Sequence, residues 1–132
     1  MSHFTTVQTK IKDVICLKLA LKDLNFAFTE AQVGQKVHVK GYAHQQTEAD
    51  MVIHISKSYD VGVKVGADGS VSFIADWWGV ETTRGLTEKE FSAAVTGRYS
   101  YHKVLKEIRK RGYVFTEEKE KDKIHIKVTQ WQ

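Results

Sequence analysis

The 132-residue chain has no proline, one cysteine and no apolar run long enough to span a bilayer. With Cys16 alone, no intrachain disulfide can form, and nothing points to an oxidising compartment. The first residues, MSHFTTVQTK, lack both an apolar targeting core and the Arg/Ser-rich character of a transit segment. The chain is therefore expected to be soluble, without membrane insertion, and to reach its compartment without a cleaved peptide or after losing one. No repeat, low-complexity segment or Gly/Ser linker breaks it, so a single domain, 1–132, is expected. The motifs GxxxxGK(S/T), GxGxxG and GxSxG are missing, which argues against a common ATPase, dehydrogenase or hydrolase and implies no cofactor.

What is present is a globular composition, 42% hydrophobic and 27% charged, with a net charge of +4. The charge is concentrated in one place. Arg98 to Gly112, RYSYHKVLKEIRKRG, holds six Lys/Arg residues against Glu107, and this local excess of five exceeds that of the whole chain. Such a segment suits an anionic or acidic partner.

Periodicity supplies the elements. Phe4 to Thr9 reads as a β-branched strand. Asp13 caps a helix to about Asp23, with Val14, Leu17, Leu21 and Leu24 at helical spacing, Ile15, Leu19 and Ala20 widening the stripe, and Cys16 a small buried thiol. Period-two patterns follow at Phe26–Phe28, Val37–Val39, Met51–Ile55, Val61–Val65 and Val71–Ala75, with a turn at Gly66–Gly69, as in antiparallel strands burying one face. Thr87 and Glu90 form a capping box, flanked by Leu86 and Phe91 at the hydrophobic-staple positions. The helix that follows is expected to be interrupted at Gly97, to carry Val104, Leu105 and Ile108 inward, and to end at Gly112. Tyr113–Thr116, a turn over Glu117–Lys123 and Ile124–Thr129 complete the order β-α-β-β-β-β-β-α-β-β. The fold class is α+β: a two-layer sandwich, two helices on one face of an antiparallel sheet.

Candidate chemistry is sparse. None of the six histidines shows a helical metal-binding spacing. His38, His54 and His125 fall on strands, where solvent-facing or hydrogen-bonded roles are usual, and no metal is called for. Asp76 precedes Trp77-Trp78, an apolar setting that raises carboxyl pKa values, but no second carboxylate or nucleophile accompanies it, and cap or turn duty is the plainer reading. Trp77 and Trp78, on an extended segment, would point oppositely, so that one can pack into the core while the other faces solvent or a partner; both being packed, one beneath a helix, is the plainer reading. Lys106, Arg109 and Lys110 form a wet helix face that can also track phosphates or an acidic protein, with Tyr99 or Tyr101 beside it.

These residues carry a resemblance. MSHF at 1–4, TKIKD before the first helix, ADWWGV at 75–80 and RYSYHKV at 98–104 resemble, in order and over nearly the whole chain, the hypothetical chloroplast open reading frame thirty-five family of cyanobacteria and plastids. Ser100 replaces the family's usual alanine, a mild change on a helix. The resemblance implies a cyanobacterial cytoplasm or chloroplast stroma and a setting near photosynthesis, gene expression or the assembly of a large complex. It supplies no activity and no role for Asp76, Trp77, Trp78, Arg98, Tyr99, Tyr101 or His102.

The expected function is a small non-enzymatic accessory protein that binds a protein partner or assembly through one basic-aromatic surface made of Trp77, Trp78, Arg98, Tyr99, Tyr101, His102, Lys106, Arg109 and Lys110. The alternatives are nucleic-acid binding by the helix 98–111, and an enzyme or metal protein with a site near Asp76 and His102. Exposed sheet edges leave room for a homodimer.

Overall fold

A computed structural model describes residues 3–120 and 123–129. The chain groups into two compact units, 1–99 and 100–132. No linker composition marks the division because one unbroken helix carries the chain through it.

In the first unit, β1 (Thr5–Gln8), β2 (Phe28–Glu30), β5 (Met51–His54), β6 (Asp60–Val65) and β7 (Val71–Ala75) form an antiparallel sheet in the order β1-β7-β6-β5-β2. Helix α1 (Val14–Asp23) begins at Asp13, whose carboxylate accepts from the Cys16 amide at 3.1 Å. It ends at Asn25, in the left-handed region, with Asn25 N–H bonded to Lys22 and Phe26 N–H to Leu21, the paired bonds that satisfy a helix's last carbonyls. Helix α3 (Glu88–Lys110) starts at the expected box: the Glu90 amide donates to Thr87 Oγ1 at 3.0 Å and the Thr87 amide to Glu90 at 3.1 Å. Leu17 and Leu21 from α1, and Phe91, Val95 and Tyr99 from α3, close one core with Ile53, Val61, Val63 and Phe73 of the sheet. Each large apolar side chain buried there contributes about 1.5–3 kcal/mol. This is the α+β arrangement of helices over one sheet face that the sequence leads one to expect, and the expected elements occur in the expected order.

Two elements are additional. Gln46–Ala49 is a strand, β4, paired with β3 (Val37–Lys40) in a separate ribbon. Trp77–Arg84 is a helix, α2, capped by Asp76, where an extended segment is expected. The ribbon packs Val39 and Ala49 on Val52 across the sheet's far face. Consequently β6 and β7 are buried on both faces, not on one. Gly62 makes this approach possible, since a Cβ there would lie 2.6 Å from Val39 and 2.8 Å from Ile74.

Helix surfaces also differ from the periodicity. Ile15 and Leu19 are exposed, as are Ala94 and Val104, so the buried stripes are narrower than the apolar count suggests. Gly97 leaves α3 uninterrupted.

The second unit holds the last part of α3 and a hairpin of β8 (Val114–Glu120) and β9 (Lys123–Thr129). α3 ends as expected: Gly112 has φ 71°, its N–H reaches Arg109, and Tyr113 N–H reaches Ile108 at 3.0 Å. β8 continues to Glu120 through residues expected to form a turn. Positions 121 and 122 lie outside the described residues.

Candidate partner-binding surface

Asp76 organises the segment that carries the tryptophans. Its side chain is buried; one oxygen accepts from the Gly79 amide at 3.3 Å and caps α2, and the other accepts from the Tyr42 amide at 3.3 Å. Residues one apart on a helix are turned by roughly 100°, so the two tryptophans still diverge. Trp77 faces inward, its ring 5.8 Å from Phe91 and its Nε1 donating to the Thr5 carbonyl at 3.2 Å. Trp78 is 57% exposed and meets Tyr42 edge-on at 6.4 Å. Tyr59 lies beneath α2, and its hydroxyl is raised above its ordinary value by burial and then by the Asp76 carboxylate.

The other expected surface residues divide. Tyr99 is buried, and its hydroxyl accepts from the amides of Lys12 and Asp13 at 3.2 Å. Arg98 places Nε and Nη2 on one oxygen of Asp23, at 3.0 and 2.7 Å. In the second unit the Tyr101 hydroxyl bonds the Glu117 carboxylate, and His102 stands edge-on to Tyr101 at 5.1 Å. Lys106, Arg109 and Lys110 are exposed along α3. Trp78 is thus joined to Tyr42 and Arg98 to Asp23, on separate elements of the first unit.

Several features carry no local signal in the sequence. In the second unit an open groove of about 360 Å³ has a floor of Val104, Ile108, Tyr113 and Val128, with Lys103, Arg111 and Glu107 at its edge. Val104 and Val128 are 45% and 48% exposed. In the first unit Asp60 is buried. Its Oδ2 accepts from the Lys40 amide at 2.9 Å, while its Oδ1 lacks a hydrogen bond among the described residues. Lys40 Nζ stands 4.0 Å and His54 Nδ1 3.7 Å from that oxygen, and the far side of the His54 ring meets Thr29 Oγ1 at 2.9 Å. The loop at Tyr42–His44 carries two successive left-handed residues, Ala43 (φ 53°) and His44 (φ 64°). Among the described residues no group of three or more His, Cys, Asp or Glu is placed to hold a metal ion, and no helix is long and apolar enough to cross a membrane.

Comparison of whole sequences sets the chain beside known proteins. The chain matches the family described as "Protein of unknown function (DUF1257)" over residues 20–129, and it belongs to that family. Among its relatives is the uncharacterized protein ycf35 of Guillardia theta, 32% identical over 134 residues, covering 98% of this chain and 95% of that protein. Proteins of the same name from Pyropia yezoensis and Cyanophora paradoxa are each 29% identical, covering 86% and 100% of this chain and 83% and 99% of their own. The resemblance read from ADWWGV and RYSYHKV is borne out. No solved structure matches the chain.

Proposed function

We propose that this protein is a non-enzymatic accessory factor that binds a protein partner or large assembly, in a chloroplast or a cyanobacterial cytoplasm and in a photosynthetic setting. The observation that carries this reading is the groove of the second unit: a largely aliphatic floor that also holds Tyr113, exposed to solvent at Val104 and Val128, with Lys103, Arg111 and Glu107 at its edge. An aliphatic floor loses water favourably against an apolar side chain, and Lys103 and Arg111 suit carboxylates beside it. The partner segment is therefore acidic with aliphatic anchors. Single-stranded nucleic acid stacks its bases on successive aromatic faces, whereas three of the four floor residues here are aliphatic. Lys106, Arg109 and Lys110, exposed elsewhere around the same helix, add positive charge that speeds encounter with an acidic partner.

The test is affinity capture of the tagged protein from a cyanobacterial extract, in parallel with a Val104→Asp, Val128→Asp variant, each with and without nuclease. Protein partners that survive nuclease and disappear with the variant are expected. Partners lost on nuclease treatment, with RNA or DNA recovered from the untreated sample, would replace this reading with nucleic-acid binding by the basic helix. Partners retained by the variant would sink the groove as the contact.

A further inference from the structure

A second site lies in the first unit, apart from the groove. A cavity of about 480 Å³ opens between the loop 40–46 and the hairpin turn 57–59, within the size range of small-ligand pockets. Its lining includes Lys40, Lys57 and His44 and no carboxylate. Lys40 is held in place: its ammonium donates to the Lys57 carbonyl at 2.8 Å and stands 4.0 Å from the buried Asp60. The cation is fixed before any ligand arrives.

The loop's backbone has the same character. Ala43 and His44 occupy the left-handed region, as the two central residues of a primed hairpin turn do, here between β3 and β4. Here Gly41 N–H bonds the Gln45 carbonyl at 2.8 Å, Gln45 N–H the Tyr42 carbonyl at 2.9 Å, and Tyr42 N–H the Asp76 carboxylate. These bonds close the turn between β3 and β4 and hold its residues at the mouth of the cavity. Tyr42, 46% exposed and steadied edge-on by Trp78, adds an aromatic face at the same cavity.

We infer that this cavity binds a nucleoside phosphate, with the phosphate between Lys40 and Lys57 and the base on Tyr42. The two ammonium groups select the anion, and the aromatic ring selects a flat heterocycle over a bare phosphate.

The experiment titrates the full chain with ADP, with pyrophosphate and with adenosine in separate arms, by calorimetry and tryptophan fluorescence. Saturable ADP binding tighter than about 1 mM is expected, a modest affinity for so open a site. Lys57→Gln should weaken it about tenfold, as expected when one charge-assisted contact is lost. Tyr42→Ala should weaken ADP but leave pyrophosphate unchanged; the Tyr42 amide bond to Asp76 survives that change, and both positions are checked for folding by circular dichroism. No saturable ADP binding, pyrophosphate bound as tightly as ADP, or an unaltered ADP affinity in Lys57→Gln would each overturn the inference.

Discussion

Asp76 and Tyr42 are joined through the backbone: the Tyr42 amide donates to one carboxylate oxygen of Asp76 at 3.3 Å while the other oxygen caps helix α2. One buried side chain therefore fixes both the start of the tryptophan-bearing helix and a loop 34 residues earlier.

Asp76→Ala removes both acceptors and leaves two amides without them. A lost cap costs about 1 kcal/mol and an unsatisfied buried amide about 1–3 kcal/mol, so a loss of roughly 2–4 kcal/mol is expected in urea unfolding. Asp76→Asn, which keeps a capping oxygen, should lose less. Equal losses in the two variants would show that the cap is not the source.

Gly79 is the glycine of ADWWGV, and its place is steric. A Cβ built there would fall 1.9 Å from Cε1 of Tyr59. Gly79→Ala is expected to destabilise by about 1–3 kcal/mol through overpacking. Combining it with Tyr59→Leu should recover part of the loss, a coupling that a double-mutant cycle measures directly.

Gly97 behaves in the opposite way. It sits inside α3 with open space where a Cβ would go. Gly97→Ala is expected to stabilise by about 0.5–1 kcal/mol, because alanine loses less backbone entropy in a helix. Thermal unfolding should show a rise of roughly 2–4 °C; a fall would indicate that the helix bends there in solution.

Asp50 sets an acid dependence. Burial pushes its carboxyl up, but the Lys36 hydrogen bond, the Val65 amide and the charges of Lys36 and Lys64 together hold it below the ordinary 3.8. A carboxyl depressed in the folded state adds stability that is present above its unfolded pKa and is lost as pH falls through the folded one. The stability difference between wild type and Asp50→Asn should therefore be level from pH 6 to 8 and shrink below pH 4. A difference that stays constant to pH 2 would remove Asp50 from the acid response.

Much of the fold was legible because local chemistry and global structure agree at the caps and strands. Asp13, the Thr87–Glu90 box and Gly112 act as their residue types require, and the alternating strands pair as their patterns suggest. Helix α2 escaped because Trp77, Trp78, Thr82 and Thr83 favour helix weakly, and its start is defined by a bond from distant Tyr42 as much as by sequence. β4, QTEA, is polar and, among the described residues, pairs with β3 alone, so no alternation announced it.

The candidate site was legible in part. The exposed Trp78 and the exposed cations of α3 stand where a surface reading puts them. Tyr99 does not, and the sequence held the clue: Phe91, Val95 and Tyr99 fall four apart, on one helix face, and all three are buried in the same core. Arg98 meets Asp23 across 75 residues, and Asp60 meets Lys40 across 20, separations over which no periodicity speaks. The loop at 42–44 was hidden for a different reason: alanine does not announce a left-handed backbone, and histidine does so only weakly.

The lone thiol gives the protein a built-in clock. Cys16 lies beneath the surface of α1 within the main core, so a maleimide reaches it only when that core opens. The rate of alkylation in native buffer, followed by mass spectrometry, then reads the frequency of that opening without any engineered label.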